Sequence, residues 1–288
     1  MSNARLAFTP NLLHPRFAPP LAGRAAWLAC WADALALAAQ RGAHKRLGPT
    51  AAWPARFNEQ VHGQLARRVG QEAELLFERA RARSAWVGGG ESEGEGPRSL
   101  RRSPVGRLSE AEWGRVTAEG HLGGLLDQAE GREVAGVVRL GPGGIAGAEE
   151  DQLSWLLPLH DPSSAEPPFM SPPSAPVYNI AAFLDSPALP PSAAGAGPLS
   201  GRAHHWLAAT VALFARREAD AGPSQTSREA ADAGGVFVIY NPSRADSELP
   251  VAGGDDVVPL LQALWRCRLW VGEGWEGQPE GGAEEAEP

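Results

Sequence analysis

Four residues in this chain could assemble a thiol-based catalytic centre: His205, Asn241, Cys267 and Cys30. For a cysteine to attack a carbonyl carbon, an imidazole must reach the thiol and take its proton, and a polar group must hold that imidazole in the right tautomer. His205-Trp206 opens an apolar segment, and the run Val236-Phe237-Val238-Ile239-Tyr240 ends in Asn241-Pro242. His205 therefore reads as the base and Asn241 as its orienter, with Cys267 or Cys30 as the nucleophile. A free cysteine is by default a small buried hydrophobe, and that reading stands beside the catalytic one for both thiols. Other chemistries lack their motifs. The lone Lys45 sits in AHKRLG without a glycine cradle, which excludes a P-loop. GPGGIAG at 141–147 has the spacing of a dinucleotide turn, but Pro142 stiffens it and EEDQLSW is a poor crossover helix, so it reads as an ordinary turn. There is no H-E-x-x-H and no G-x-S-x-G, and the histidines are scattered apart from His204 and His205. No cofactor or metal site is expected.

The His-Trp pair and the Tyr240-Asn241-Pro242 strand end resemble those of the ubiquitin-like-protein-specific cysteine peptidases and, more loosely, of papain-like folds. The resemblance spans about 40 residues and implies a cysteine-type hydrolase, intact or degenerate, that acts on a protein substrate. In the ubiquitin-like-specific order the cysteine follows the histidine and the acid or amide, with a glutamine a few residues before it. Cys267 and Gln262 match that order, although arginines flank the thiol in Trp265-Arg266-Cys267-Arg268 and no glycine does. In the papain order the cysteine comes first beside a tryptophan, as in Cys30-Trp31, but Cys30 is expected in mid-helix, where the dipole gives a thiolate little help.

The elements that would position these residues are a helical front and a mixed back. After Pro19-Pro20, residues 21–41 are rich in Ala and Leu and stop at Gly42, which predicts a helix. Behind Pro54, Phe57, Val61, Leu65, Val69, Ala73, Leu76 and Ala80 recur on one face and predict a second helix to Trp86. Its other face mixes Arg67, Arg68, Arg79, Arg81 and Arg83 with Glu72, Glu74 and Glu78. Residues 88–107 carry no apolar period and read as a linker. Ser109 and Glu112 have capping-box spacing for a helix over 111–119. Apolar runs at 133–140, 153–159, 177–184 and 236–240 read as strands, whereas 204–218 fits either a strand or a helix. Asp255-Asp256 opens a helix with Pro259 in its first turn. The expectation is an α+β protein: a helical Arg-rich region (1–87), the linker (88–107), a mixed-sheet domain (108–271) and an acidic, disordered tail (272–288).

Of the 288 residues, 50 are Ala, 34 Gly, 26 Pro and 25 Arg, a skew that looks like G- and C-rich codon usage rather than function. Residues 1–107 hold 16 Lys and Arg against 8 Asp and Glu, and residues 108–288 hold 10 against 26. A basic half beside an acidic half suits either an anionic partner or attraction within the chain. No apolar run is long enough for a membrane helix. Two cysteines 237 positions apart suggest a reducing, intracellular compartment, cytoplasmic or nuclear. Three arginines and no acid in the first 30 residues leave a transit peptide as a minor reading. A second functional reading competes with the hydrolase: a non-catalytic interaction or scaffold protein whose Arg-rich arm contacts a protein or anionic partner. A third is nucleic-acid contact through the Arg67 to Arg83 face.

Overall fold

The sheet is built from the apolar runs, and its order follows from which of them are buried on both faces. The structure is a computed structural model that describes residues 29–46, 48, 51–88, 103–123, 133–140, 153–159, 174–186, 198–220, 235–241 and 256–273. Its helices are α1 (Ala32–Gln40), α2 (Phe57–Gly88), α3 (Glu110–Glu119), α4 (Ala181–Leu184), α5 (Leu199–Asp220) and α6 (Val258–Trp270). Its strands are β1 (Val105–Leu108), β2 (Glu133–Arg139), β3 (Ser154–Pro158), β4 (Ser174–Asn179) and β5 (Val236–Asn241), in the sheet order β1-β5-β2-β4-β3. Only β2 and β4 run parallel; the other three pairs are antiparallel. The chain is therefore an α+β protein with a mixed five-stranded sheet and a helical N-terminal region. It forms two compact units, residues 1–64 with 266–288, and residues 65–265. The unit boundaries fall inside α2 and α6, and not in the 88–107 stretch read as a linker.

In the larger unit, β5 is an interior strand, between β1 and β2, and takes hydrophobic contact on both faces. Val236 and Val238 face the layer of α3, where Leu108, Trp113, Val116, Leu122, Val134, Val137, Leu157, Ala175 and Val177 form one core. Phe237 and Ile239, fully buried, face the opposite side, where His204 of α5 packs on Phe237 with ring centroids 5.3 Å apart. Trp206 of the same helix meets Phe77 of α2 at 5.2 Å. Each such fully buried side chain contributes about 1.5–3 kcal/mol of transfer free energy. Gly106 sits in β1 where a Cβ would come within 2.8 Å of the Tyr240 hydroxyl. A side chain at this position would force the outer edge of the Tyr240 ring to move. A bulge between Val134 and Gly136 lets β2 shift register against β5.

The smaller unit has a compact helical interior. Leu35 of α1, Val61 of α2 and Cys267 and Trp270 of α6 are buried in it, and Trp53 meets Phe57 edge-on at 5.2 Å. Gly42 closes α1 with a φ of 66°, a left-handed conformation that glycine adopts without Cβ strain.

Several expectations change. α1 starts at Ala32 rather than near residue 21, with Asp33 in its first turn, where a carboxylate faces free N–H groups. Cys30 therefore lies in a bend two residues before the helix, not in its middle; residues 21–28 are outside the described set. β1 occupies 105–108, overlapping the end of the 88–107 stretch read as linker: Val105 and Leu108 are buried and pair with β5, a pairing that no local period can reveal. The 177–184 run is not one strand. β4 covers Ser174–Asn179, and the remainder turns into α4. The ambiguous 204–218 segment is helical, as part of α5. The 141–147 turn and residues 274–288 lie outside the described residues.

Candidate functional site

The sequence-derived site residues divide between the two units. His205, Asn241 and Gln262 belong to the larger one; Cys30 and Cys267 belong to the smaller. His205 lies on α5 and is exposed, its ring stacked edge-on against Trp206 at 5.0 Å. Its neighbour His204 is the imidazole that faces the sheet. Burial holds the His204 pKa below its ordinary value, and the charges of Arg107 and His205 add to the effect. Asn241 ends β5, with its backbone opposite Glu133. It stands four residues past Phe237, about 13 Å along an extended strand from the row where His204 packs. The backbone therefore does not bring Asn241 beside the histidine pair.

Gln262 and Cys267 share α6 but not a face. Five residues at 100° each set them about 140° apart around the helix: Gln262 is exposed and Cys267 is fully buried. Burial pushes the Cys267 thiol far above the usual range, and the nearby Cys30 pushes it the same way. Burial raises the Cys30 thiol too, with Arg266 acting weakly against it. A nucleophilic cysteine needs the opposite environment, an electropositive setting that lowers the pKa and leaves the sulfur reachable.

The basic face of α2 is largely neutralised from within. Arg56 lies 3.8 Å from Glu59 and Arg81 lies 2.7 Å from Glu78. Arg202 of α5 reaches Glu74 at 2.5 Å. Glu72 is 1 % exposed; Arg68 touches one of its oxygens and Arg79 lies 3.8 Å from the other. Neither oxygen of Glu72 accepts an aligned hydrogen bond among the described residues, so these are ion pairs held by charge. Arg79 Nη1 also donates to the Asp256 carbonyl at 3.3 Å, tying α2 to the start of α6.

One charged residue was not singled out from sequence. Arg139, the last residue of β2, is 6 % exposed and its Nη1 is buried without a hydrogen-bond partner among the described residues. The signal was present in the sequence: one arginine at the end of the otherwise apolar run EVAGVVRL. Among the described residues no group of three or more His, Cys, Asp or Glu could hold a metal ion, and no described helix is long and apolar enough to cross a membrane. In comparison with known proteins, no family model, no curated protein and no solved structure matches the chain.

Proposed function

We propose that the chain works as a non-catalytic binding protein rather than as a cysteine peptidase. The observation that carries this reading is the state of the two thiols: Cys267 is fully buried, and burial drives both sulfurs away from the thiolate form. The division of the would-be base and nucleophile between two units gives the peptidase reading no support. The partner is a protein or an anionic molecule. Free nucleic acid is a weaker candidate, because glutamates already pair with Arg56, Arg68, Arg79 and Arg81 at and along α2. A solvent-facing large aromatic on α6, Trp265 at 43 % exposure, fits a partner-binding surface.

The test is alkylation of the folded protein by iodoacetamide from about pH 5 to about 10.5, reaching past the ordinary thiol range, followed by mass spectrometry of the Cys30 and Cys267 peptides. Cys267 should stay protected throughout. Cys30 should react only as the pH rises above the ordinary thiol range, and His205→Ala should leave both rates unchanged. Rapid labelling of either thiol at the acidic end, slowed by His205→Ala, would restore the hydrolase reading.

A further inference from the structure

A guanidinium does not shed its proton to escape burial. Arg139 therefore carries a full charge at 6 % exposure, with Nη1 sealed from solvent and without an acceptor among the described residues. Such a group is costly unless something negative meets it. Its place in the sheet is defined by register. Leu108, Val236, Arg139 and Asn179 form one row across β1, β5, β2 and β4. Val137, two residues before Arg139, belongs with Val236 and Leu108 to the core under α3, so alternation along the strand puts Arg139 on the α3 side. Trp113 of α3 belongs to that same core at 4 % exposure, and its indole Nε1–H is likewise buried without an acceptor. The layer between α3 and the sheet thus holds two buried N–H donors that lack acceptors among the described residues. Glu112, the acidic side chain in the first turn of α3 on the partly buried side, is committed to the capping box with Ser109. Arg139 also stands at the C-terminal end of the β2–β4 parallel pair, the end at which sheets with parallel strands commonly receive ligands.

We infer that Arg139 and the Trp113 indole form a binding site for a small oxyanion, a phosphate or carboxylate group, at the C-terminal end of β2 on the α3 side of the sheet. The planar guanidinium takes two oxygens of such a group in parallel, and the indole N–H supplies a third donor. This goes beyond the partner-binding proposal and does not rest on it, because the thiols and the exposed face of α6 play no part.

The experiment uses the full chain in a low-salt buffer free of phosphate and carboxylates. Thermal unfolding is followed during titration with inorganic phosphate and, separately, with sodium acetate, each against sodium chloride at matched ionic strength. One oxyanion or both should raise the unfolding midpoint saturably, by about 5 °C at a hundredfold excess over Kd. Arg139→Met should abolish the response. The arm that responds distinguishes a phosphate from a carboxylate ligand. The indole N–H resonance of Trp113, assigned by its loss in Trp113→Phe, should shift with the same midpoint in the unmodified chain. That measurement keeps the test decisive if Arg139→Met fails to fold. A response no larger than that to chloride, an equal response in Arg139→Met, or a Trp113 resonance that stays still while the midpoint rises would each overturn the site.

Discussion

Glu72 and Arg139 are buried to nearly the same degree, 1 % and 6 % exposed, yet the chain treats their charges in opposite ways. Glu72 sits on a helix, where residues three, four and seven positions away come round to the same side, so α2 can bring Arg68 and Arg79 to it from its own sequence. Arg139 ends a strand, whose neighbours on the same face are set by register, and register supplies Val137, Val236 and Asn179. None of these carries a negative charge. A buried charge on a helix is thus easily neutralised by local design, whereas one in a sheet depends on whatever the strands next to it present.

The largest effect expected from this contrast is on Glu72. Glu72→Leu removes the buried carboxylate from two arginines that are 40 % and 36 % exposed and can turn to solvent; it should cost about 2 kcal/mol in urea-induced unfolding, the lost attraction of two partly screened pairs. A change below about 1 kcal/mol would mean that the ion pairs carry little, and that Glu72 and Arg139 differ less than their surroundings suggest.

Next is Arg79→Met, which leaves Glu72 with Arg68 alone and breaks the link to the Asp256 carbonyl. Because Arg79 is itself 36 % exposed, the expected loss is smaller, about 1–2 kcal/mol. Arg139→Met should have the opposite sign. In anion-free buffer it removes a buried charge that has no ion-pair partner among the described residues and keeps the volume, so the variant should be more stable by about 1 kcal/mol. A clear loss of stability instead would mean that the guanidinium is satisfied in the folded chain.

Ser109→Ala tests whether the α3 layer near Arg139 is held by local design. Ser109 Oγ accepts from the Glu112 N–H at 3.3 Å, and Glu112 accepts from the Ser109 N–H at 2.8 Å, so the expected cost is about 1 kcal/mol by equilibrium unfolding. The smallest effect is a pH slope. Because the folded state holds the His204 pKa below its ordinary 6.5, the unfolded chain binds the proton more readily. Stability from this group is therefore complete above pH 6.5 and declines as the pH falls below it, until the folded pKa is reached. His204→Phe should flatten that part of the profile of unfolding midpoint against pH. A slope that survives the substitution would assign it to another group.

What the sequence made legible follows the range of the interactions concerned. The α2 stripe, the Ser109–Glu112 box and the Gly42 stop are local patterns, and the structure has each of them where the spacing puts it. The β2 and β5 runs were readable because a strand buried on both faces must be apolar throughout; β3 was readable from its composition, although it is an edge strand that leaves Leu156 exposed. β1 was not, because Val-Gly-Arg-Leu is a strand only when Val105 and Leu108 find Ile239 and Val236. α4 was hidden because Ala181–Leu184 is as apolar as the strand before it. Among the site residues, the types suited to thiol chemistry were visible, but their distribution between two units was not. Burial reverses the chemistry that Cys267 needs, and burial is a tertiary property. Arg139 shows the converse: an arginine closing a buried run was readable as an anomaly, though only the register shows that no acid stands beside it in its row.

The sheet order also governs how this protein is made. The interior strand β5 comes last of the five in the chain, and it must insert between β1 and β2, both synthesised well before it. A nascent chain that has emerged only as far as α5 therefore exposes an open edge on each of those strands, with Leu108, Val134 and Val137 uncovered. The sheet cannot close until the ribosome has nearly finished the larger unit. Closure of the sheet is then slowed by the long loop that β5 must close, and any product truncated before residue 236 will lack the strand that joins β1 to β2, β4 and β3.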